Sequence, residues 1–127
     1  MRLPKKIKDL IKILQEKHAT QIVVLRLSRL VSFTNYFVIC SAESLPQVRA
    51  IAEEVVERLP KKDCLGKEGY PESSWVLLDY GDFMLHIFLP EKRQFYGLER
   101  IWADAPTLFP ANKGKSINSR QGPGPVI

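Results

Sequence analysis

A chain of 127 residues with 45% hydrophobic and 26% charged residues has the length and balance of one ordinary globular domain with a single core. Its formal charge of +5 sits at the ends: residues 1–18 carry +4, residues 110–127 carry +3, and the body between them carries −2. That distribution argues against a basic nucleic-acid-binding face on the body, no run approaches the ~20 apolar residues of a membrane span, and two cysteines are too few for a disulfide framework.

The N-terminal stretch alternates charge with apolar groups and lacks the continuous apolar core of a signal peptide, so a reducing, cytoplasmic location is the expectation. Pro4 opens a first helix, where its missing N–H costs nothing, and Ile7, Leu10, Ile11 and Leu14 recur at helical spacing. That helix packs on the domain in the simpler reading; a membrane-surface helix is the alternative, weakened by the absence of aromatic residues from the stripe. Residues 21–27 are β-branched and apolar enough for a strand, and 36–41 form a second, almost wholly apolar one that belongs inside a sheet. Ser44 and Gln47 fit a capping box at the start of a second helix, whose stripe is Val48, Ile51, Ala52, Val55, Val56 and Leu59. Glu53, Glu54 and Glu57 lie off that stripe, on a solvated face. Pro60 ends this helix, and residues 61–74 form a polar connector containing Gly66, Gly69 and Pro71.

Trp75 to Phe88 reads as a β-hairpin turning at Gly81-Asp82, which pairs Asp79 with Met84, Leu77 with His86 and Trp75 with Phe88. Alternation puts Val76, Leu78, Tyr80, Phe83, Leu85 and Ile87 on a core face. The opposite face carries Trp75, Leu77, Asp79, Met84, His86 and Phe88. Large apolar groups beside a carboxylate and an imidazole suit neither plain burial nor plain solvation, so this is a candidate docking face. His86 has two readings there, a satisfied sheet histidine or part of the interface. Pro90 and Glu91 begin a third helix with an apolar stripe of Phe95, Leu98, Ile101 and Trp102. Arg93 and Tyr96, three apart on it, either make local contacts, with a carboxylate pairing Arg93, or extend the docking surface. Beyond Pro106 and Pro110 the chain has too little apolar content to pack, which makes residues 110–127 a basic, disordered tail after a single domain at 1–109.

The order helix, strand, strand, helix, strand, strand, helix implies an α/β (α+β) domain: a mixed sheet of four to five strands with helices covering one face. No phosphate-cradling Gly-rich loop is present, His18 and His86 stand in unrelated segments, and Cys40 lies inside an apolar strand as an inert thiol. Asp79 and Asp82 flank the turn and could bind magnesium; the reading preferred here is that Asp82 serves the turn while Asp79 points from the docking face. Neither catalytic residues nor a cofactor or metal site is assigned. An RNA-binding module would need basic and aromatic residues on one face, whereas this face is aromatic and acidic.

These residues resemble a known family. YFVICSAES followed by QVRAIAEEV, then Glu68-Gly69, WVLLDYGDFMLHIF, and the run from Glu91 to Pro106 are similar, in order and spacing, to the ribosomal silencing factor S (Iojap) family over residues 5–108. The chain departs from the family pattern at Asn35, Ala42 and Pro46. The resemblance implies a nucleotidyltransferase-like fold without the catalytic motif. It implies a non-enzymatic protein that binds the large ribosomal subunit through large-subunit ribosomal protein fourteen, blocks joining of the small subunit and represses translation, with links to late subunit assembly and to homodimer formation. On such a partner the basic tail would add at most a weak, salt-dependent contact with ribosomal RNA. The alternative is a nucleotidyltransferase-like phosphoryl-transfer enzyme, which would need a metal-binding carboxylate cluster where only the Asp79/Asp82 turn is on offer.

Overall fold

The computed structural model describes residues 3–70 and 73–110. Helix α1 spans Lys5–Glu16, strands β1 and β2 span Thr20–Arg26 and Tyr36–Ser41, and helix α2 spans Leu45–Arg58. A single 3-10 turn at Lys61–Asp63 leads to β3 (Gly66–Glu68), followed by β4 (Trp75–Asp79), β5 (Phe83–Phe88), α3 (Pro90–Tyr96), α4 (Leu98–Ile101) and β6 (Thr107–Phe109). The six strands form one sheet in the order β3-β4-β5-β2-β1-β6, parallel between β2 and β5 and antiparallel elsewhere. The fold class expected from the sequence is the one observed, with two strands at the sheet's edges beyond those legible in the pattern. The tail from residue 111 onward lies outside the described residues.

The main core lies between the sheet and helices α1 and α2. Ile7, Leu10, Leu14, Val48, Ile51, Ala52 and Val55 meet Val24, Val38, Cys40, Val76, Leu78, Leu85 and Ile87, all but excluded from water. Burial pushes the Cys40 thiol up to about 12, so it stays a protonated packing group. Helix α2 begins where the sequence places it. Ser44 Oγ accepts from the Gln47 N–H at 3.2 Å, while Gln47 Oε1 accepts from the N–H of Glu43, one residue before the cap, at 2.7 Å. The Gln47 amide also donates to the His18 carbonyl at 3.1 Å, which ties the helix start to the α1–β1 link.

The expectation that helices cover only one face is corrected. A second, smaller core of Leu25, Leu27, Phe37, Ile39, Phe88 and Ala105 lies on the other side of the sheet, packed by Val31, Leu98 and Trp102. The α3–α4 segment and the loop after β1 thus roof part of the face that alternation leaves open. The third helix is also corrected, because it is broken. Gly97 adopts φ 58° and ψ 44°, donates its N–H to the Arg93 carbonyl, and ends α3 as a left-handed cap. The chain restarts in α4 along a new direction, so Phe95 and Ile101, placed by sequence on a buried stripe, are instead 73% and 64% exposed.

Candidate functional site

The hairpin has the register that its alternation predicts: Trp75 opposite Phe88, Val76 opposite Ile87, Leu77 opposite His86, Leu78 opposite Leu85 and Asp79 opposite Met84. Val76 and Leu78 therefore point to the helix side and are fully buried, whereas Trp75, Leu77, Asp79 and Met84 on the other face are half-buried. The Trp75 indole stacks on the Phe88 ring with centroids 5.0 Å apart and 23° between planes, and the Tyr96 ring of α3 lies 4.5 Å from it. Tyr96 in turn meets Phe95 edge-on at 5.1 Å. Trp75, Tyr96 and Phe95 make this a partly open aromatic surface, built from the hairpin and α3 together.

Two residues expected on this face lie behind it. His86 is only 3% exposed, because Phe37 on β2 meets it edge-on at 4.4 Å while the Trp75 and Phe88 rings flank it. Its Nδ1 accepts the Trp75 Nε1–H at 3.1 Å, so the neutral ring carries its proton on Nε2, which is buried without a hydrogen-bond partner among the described residues. Burial lowers the imidazole pKa from 6.5 to about 3, which keeps His86 uncharged at neutral pH. His86 thus takes the part of a sheet histidine that fixes the Trp75 indole from behind the face.

Arg93 is the second correction. It is 8% exposed, and its guanidinium grips Glu99 in bidentate fashion, Nε to Oε1 at 2.9 Å and Nη2 to Oε2 at 3.1 Å, while Nη1 donates to Ser41 Oγ at 2.8 Å. Of the two readings open from the sequence, the local carboxylate pair is the one observed, and it bridges the Gly97 break to fasten both α3 and α4 to the end of β2. Arg93→Met keeps the stem but leaves Ser41 and Glu99 without their donor. Allowing for the half-exposure of Glu99, a loss of roughly 1.5–3 kcal/mol in chemical denaturation is expected. A free energy within a few tenths of wild type would show that packing alone seats the two helices.

The turn role assigned to Asp82 belongs to Asp79. Asp79 Oδ1 accepts from the Gly81 N–H at 2.8 Å and so shapes the turn, in which Gly81 has φ 78°. Asp82 instead accepts from the Asn35 side-chain amide and lies 3.9 Å from Lys6 Nζ. Asp79 remains half-buried, one oxygen committed to the turn and its position still on the docking side of β4. Sequence reasoning missed Phe95 as a member of this surface. The available signal was Gly97, two residues after Phe95, in the middle of an otherwise continuous helical pattern.

Comparison with known proteins places these features in a family. The family model described as "Ribosomal silencing factor during starvation" matches residues 1–123. Ribosomal silencing factor RsfS of Halalkalibacterium halodurans is 38% identical over 95 residues, which are 73% of this chain and 81% of that protein. The mouse protein named "Mitochondrial assembly of ribosomal large subunit protein 1" is 30% identical over 98 residues, 73% of this chain but 43% of that longer protein. A crystal structure of a Chromobacterium violaceum protein superposes with a TM-score of 0.75 at 30% identity, covering 91% of this chain and 98% of that one.

Proposed function

The chain belongs to the ribosomal silencing factor family, and from that premise we propose that it binds the large ribosomal subunit through large-subunit ribosomal protein fourteen, blocks joining of the small subunit and thereby represses translation. The observation that carries the reading is the partly open face of Trp75, Leu77, Met84 and Tyr96, an apolar and aromatic patch of the kind that anchors interfaces, stiffened from behind by His86 and Arg93. Phe95, edge-on to Tyr96, enlarges it. Asp79 gives the patch a carboxylate, which favours a partner rich in Arg and Lys. Repression is steric: a folded body seated on the subunit face occupies surface that the small subunit needs. No chemical step is required, so the protein acts as a regulator and not as an enzyme. The name of the mouse relative, which refers to large-subunit assembly, supports a second role in late assembly of the same subunit.

Co-sedimentation of the purified protein with separated large and small subunits tests the reading. Binding to the large subunit alone, with fewer joined ribosomes on addition of small subunits, is the expected result. Asp79→Lys should slow association, and wild-type association should slow as salt rises whereas that of the variant should not. Equal binding to both subunits, or joining unimpeded at saturating protein, would overturn the proposal.

A further inference from the structure

On the helix side of the sheet, away from the docking face, α1, the end of α2 and the 3-10 turn meet the hairpin around a cleft of about 240 Å³. That is below the ~300–1,000 Å³ of pockets for drug-sized ligands, so its measure is a single ring with a small substituent. Tyr80 and Phe83 form its buried floor, their rings stacked 5.1 Å apart with 15° between planes. Leu59, Pro60 and Leu65 make the apolar walls, and Lys6, Lys62 and Asp63 complete the lining. Lys62 makes no ion pair among the described residues, and Lys6 has only the loose 3.9 Å approach to Asp82.

The floor also holds an unspent donor. The Tyr80 hydroxyl is buried with no hydrogen-bond partner among the described residues, and its polar neighbour Cys64 directs its thiol to the Gly66 carbonyl at 3.7 Å. Burial raises the Tyr80 pKa, with Cys64 and Asp63 acting in the same sense, so the hydroxyl stays protonated and has only the Cys64 sulfur, a weak acceptor, beside it. An aromatic floor, a buried hydroxyl donor and two rim ammonium groups against one carboxylate, Asp63, leave a net positive rim that calls for an anion with a ring.

We propose that this cleft binds a small organic anion: one ring seated against Tyr80 and Phe83, with acceptor oxygens for the Tyr80 hydroxyl and for the Lys6 and Lys62 ammonium groups. The site is separate from the docking face, since Tyr80 and Phe83 share the helix side of the hairpin with Val76 and Leu78. The proposal therefore does not rest on the ribosomal reading.

The test is an NMR titration of amide resonances in the full chain with phenyl phosphate, run beside inorganic phosphate and phenol as its two halves. Saturable shifts confined to Lys6, residues 59–65 and residues 80–83 are expected, with a Kd on the order of 1 mM for so small a ligand. The double variant Lys6→Ala/Lys62→Ala should raise that Kd roughly tenfold, and Tyr80→Phe, which keeps the ring, roughly threefold to tenfold. Scattered shifts, equal binding of inorganic phosphate alone, or a Kd unchanged in both variants would overturn the proposal. The double lysine variant should also co-sediment with the large subunit as wild type does. Loss of that binding would place the two lysines on the subunit-binding surface and overturn their assignment to a ligand cleft.

Discussion

Truncating Trp75 to alanine is expected to weaken binding to the large ribosomal subunit by roughly thirty- to a thousand-fold, the equivalent of losing an aromatic anchor worth about 2–4 kcal/mol at the centre of an interface. The position explains the size. Trp75 is half-buried, in contact with the rings of both Phe88 and Tyr96, and its indole N–H is held by His86. An anchor fixed in this way loses little rotamer freedom on binding, which is where preorganised aromatic residues gain their advantage. The same contacts mean that Trp75→Ala also costs some folding stability, because Phe88 loses a stacked neighbour and His86 loses its donor. Leu78, three residues along the same strand but turned to the helix side and fully buried, provides the control. Leu78→Ala should destabilise by about 2–5 kcal/mol through the cavity it leaves, while the folded fraction binds the subunit as tightly as wild type. Thermal unfolding and large-subunit affinity measured on both variants separate the two faces. If Trp75→Ala unfolds as readily as Leu78→Ala and its folded fraction binds normally, Trp75 is a core residue and the docking face loses its centre.

What the pattern of residues discloses, and what it hides, follows from the range of the forces involved. The hairpin register was legible because period-two alternation from Val76 to Leu85 and a glycine at the turn are local signals. The capping of α2 by Ser44 was legible for the same reason. Strands β3 and β6 were not, since each is three residues long and Gly66-Lys67-Glu68 has no apolar face; backbone pairing to β4 and β1 alone makes them strands. Phe95, Leu98, Ile101 and Trp102 mimic the stripe of one helix, and only the left-handed conformation at Gly97 shows that two of them leave the core. Asp79 lies two residues before Gly81 and Asp82 one after it, both within reach of the turn, so composition cannot say which carboxylate turns back to the backbone. His86 and Arg93 each have two readings in the sequence, and spacing does not decide between them. Their burial comes from a second layer, Phe37 beside the imidazole and the Arg93–Ser41–Glu99 contacts across a helix break, that no spacing within the hairpin or the helix encodes.

That layer leads to the last expectation, an acid instability centred on His86. The imidazole is held neutral with its pKa lowered from 6.5 to about 3 by burial, while in the unfolded chain it titrates near its ordinary value. Between those two values the unfolded state binds a proton that the folded state refuses. The contribution is therefore fully present above about pH 6.5 and is lost progressively as pH falls toward 3, at up to about 1.4 kcal/mol per pH unit. Between pH 6.5 and 4.5 this single residue should cost roughly 2–3 kcal/mol of stability. Protonation would also fill Nδ1, the acceptor that holds the Trp75 indole, so acid should loosen the docking face in the same range. Denaturant unfolding at intervals from pH 7 to 4.5 measures the slope, with His86→Gln as the comparison. That variant retains an amide acceptor for the indole but does not titrate. It should be less stable at neutral pH through imperfect packing against Phe37, and flatter with pH than wild type. A wild-type slope no steeper than that of His86→Gln across this window would mean that the imidazole accepts its proton without unfolding, and that the ring is less enclosed than its contacts with Phe37, Trp75 and Phe88 require.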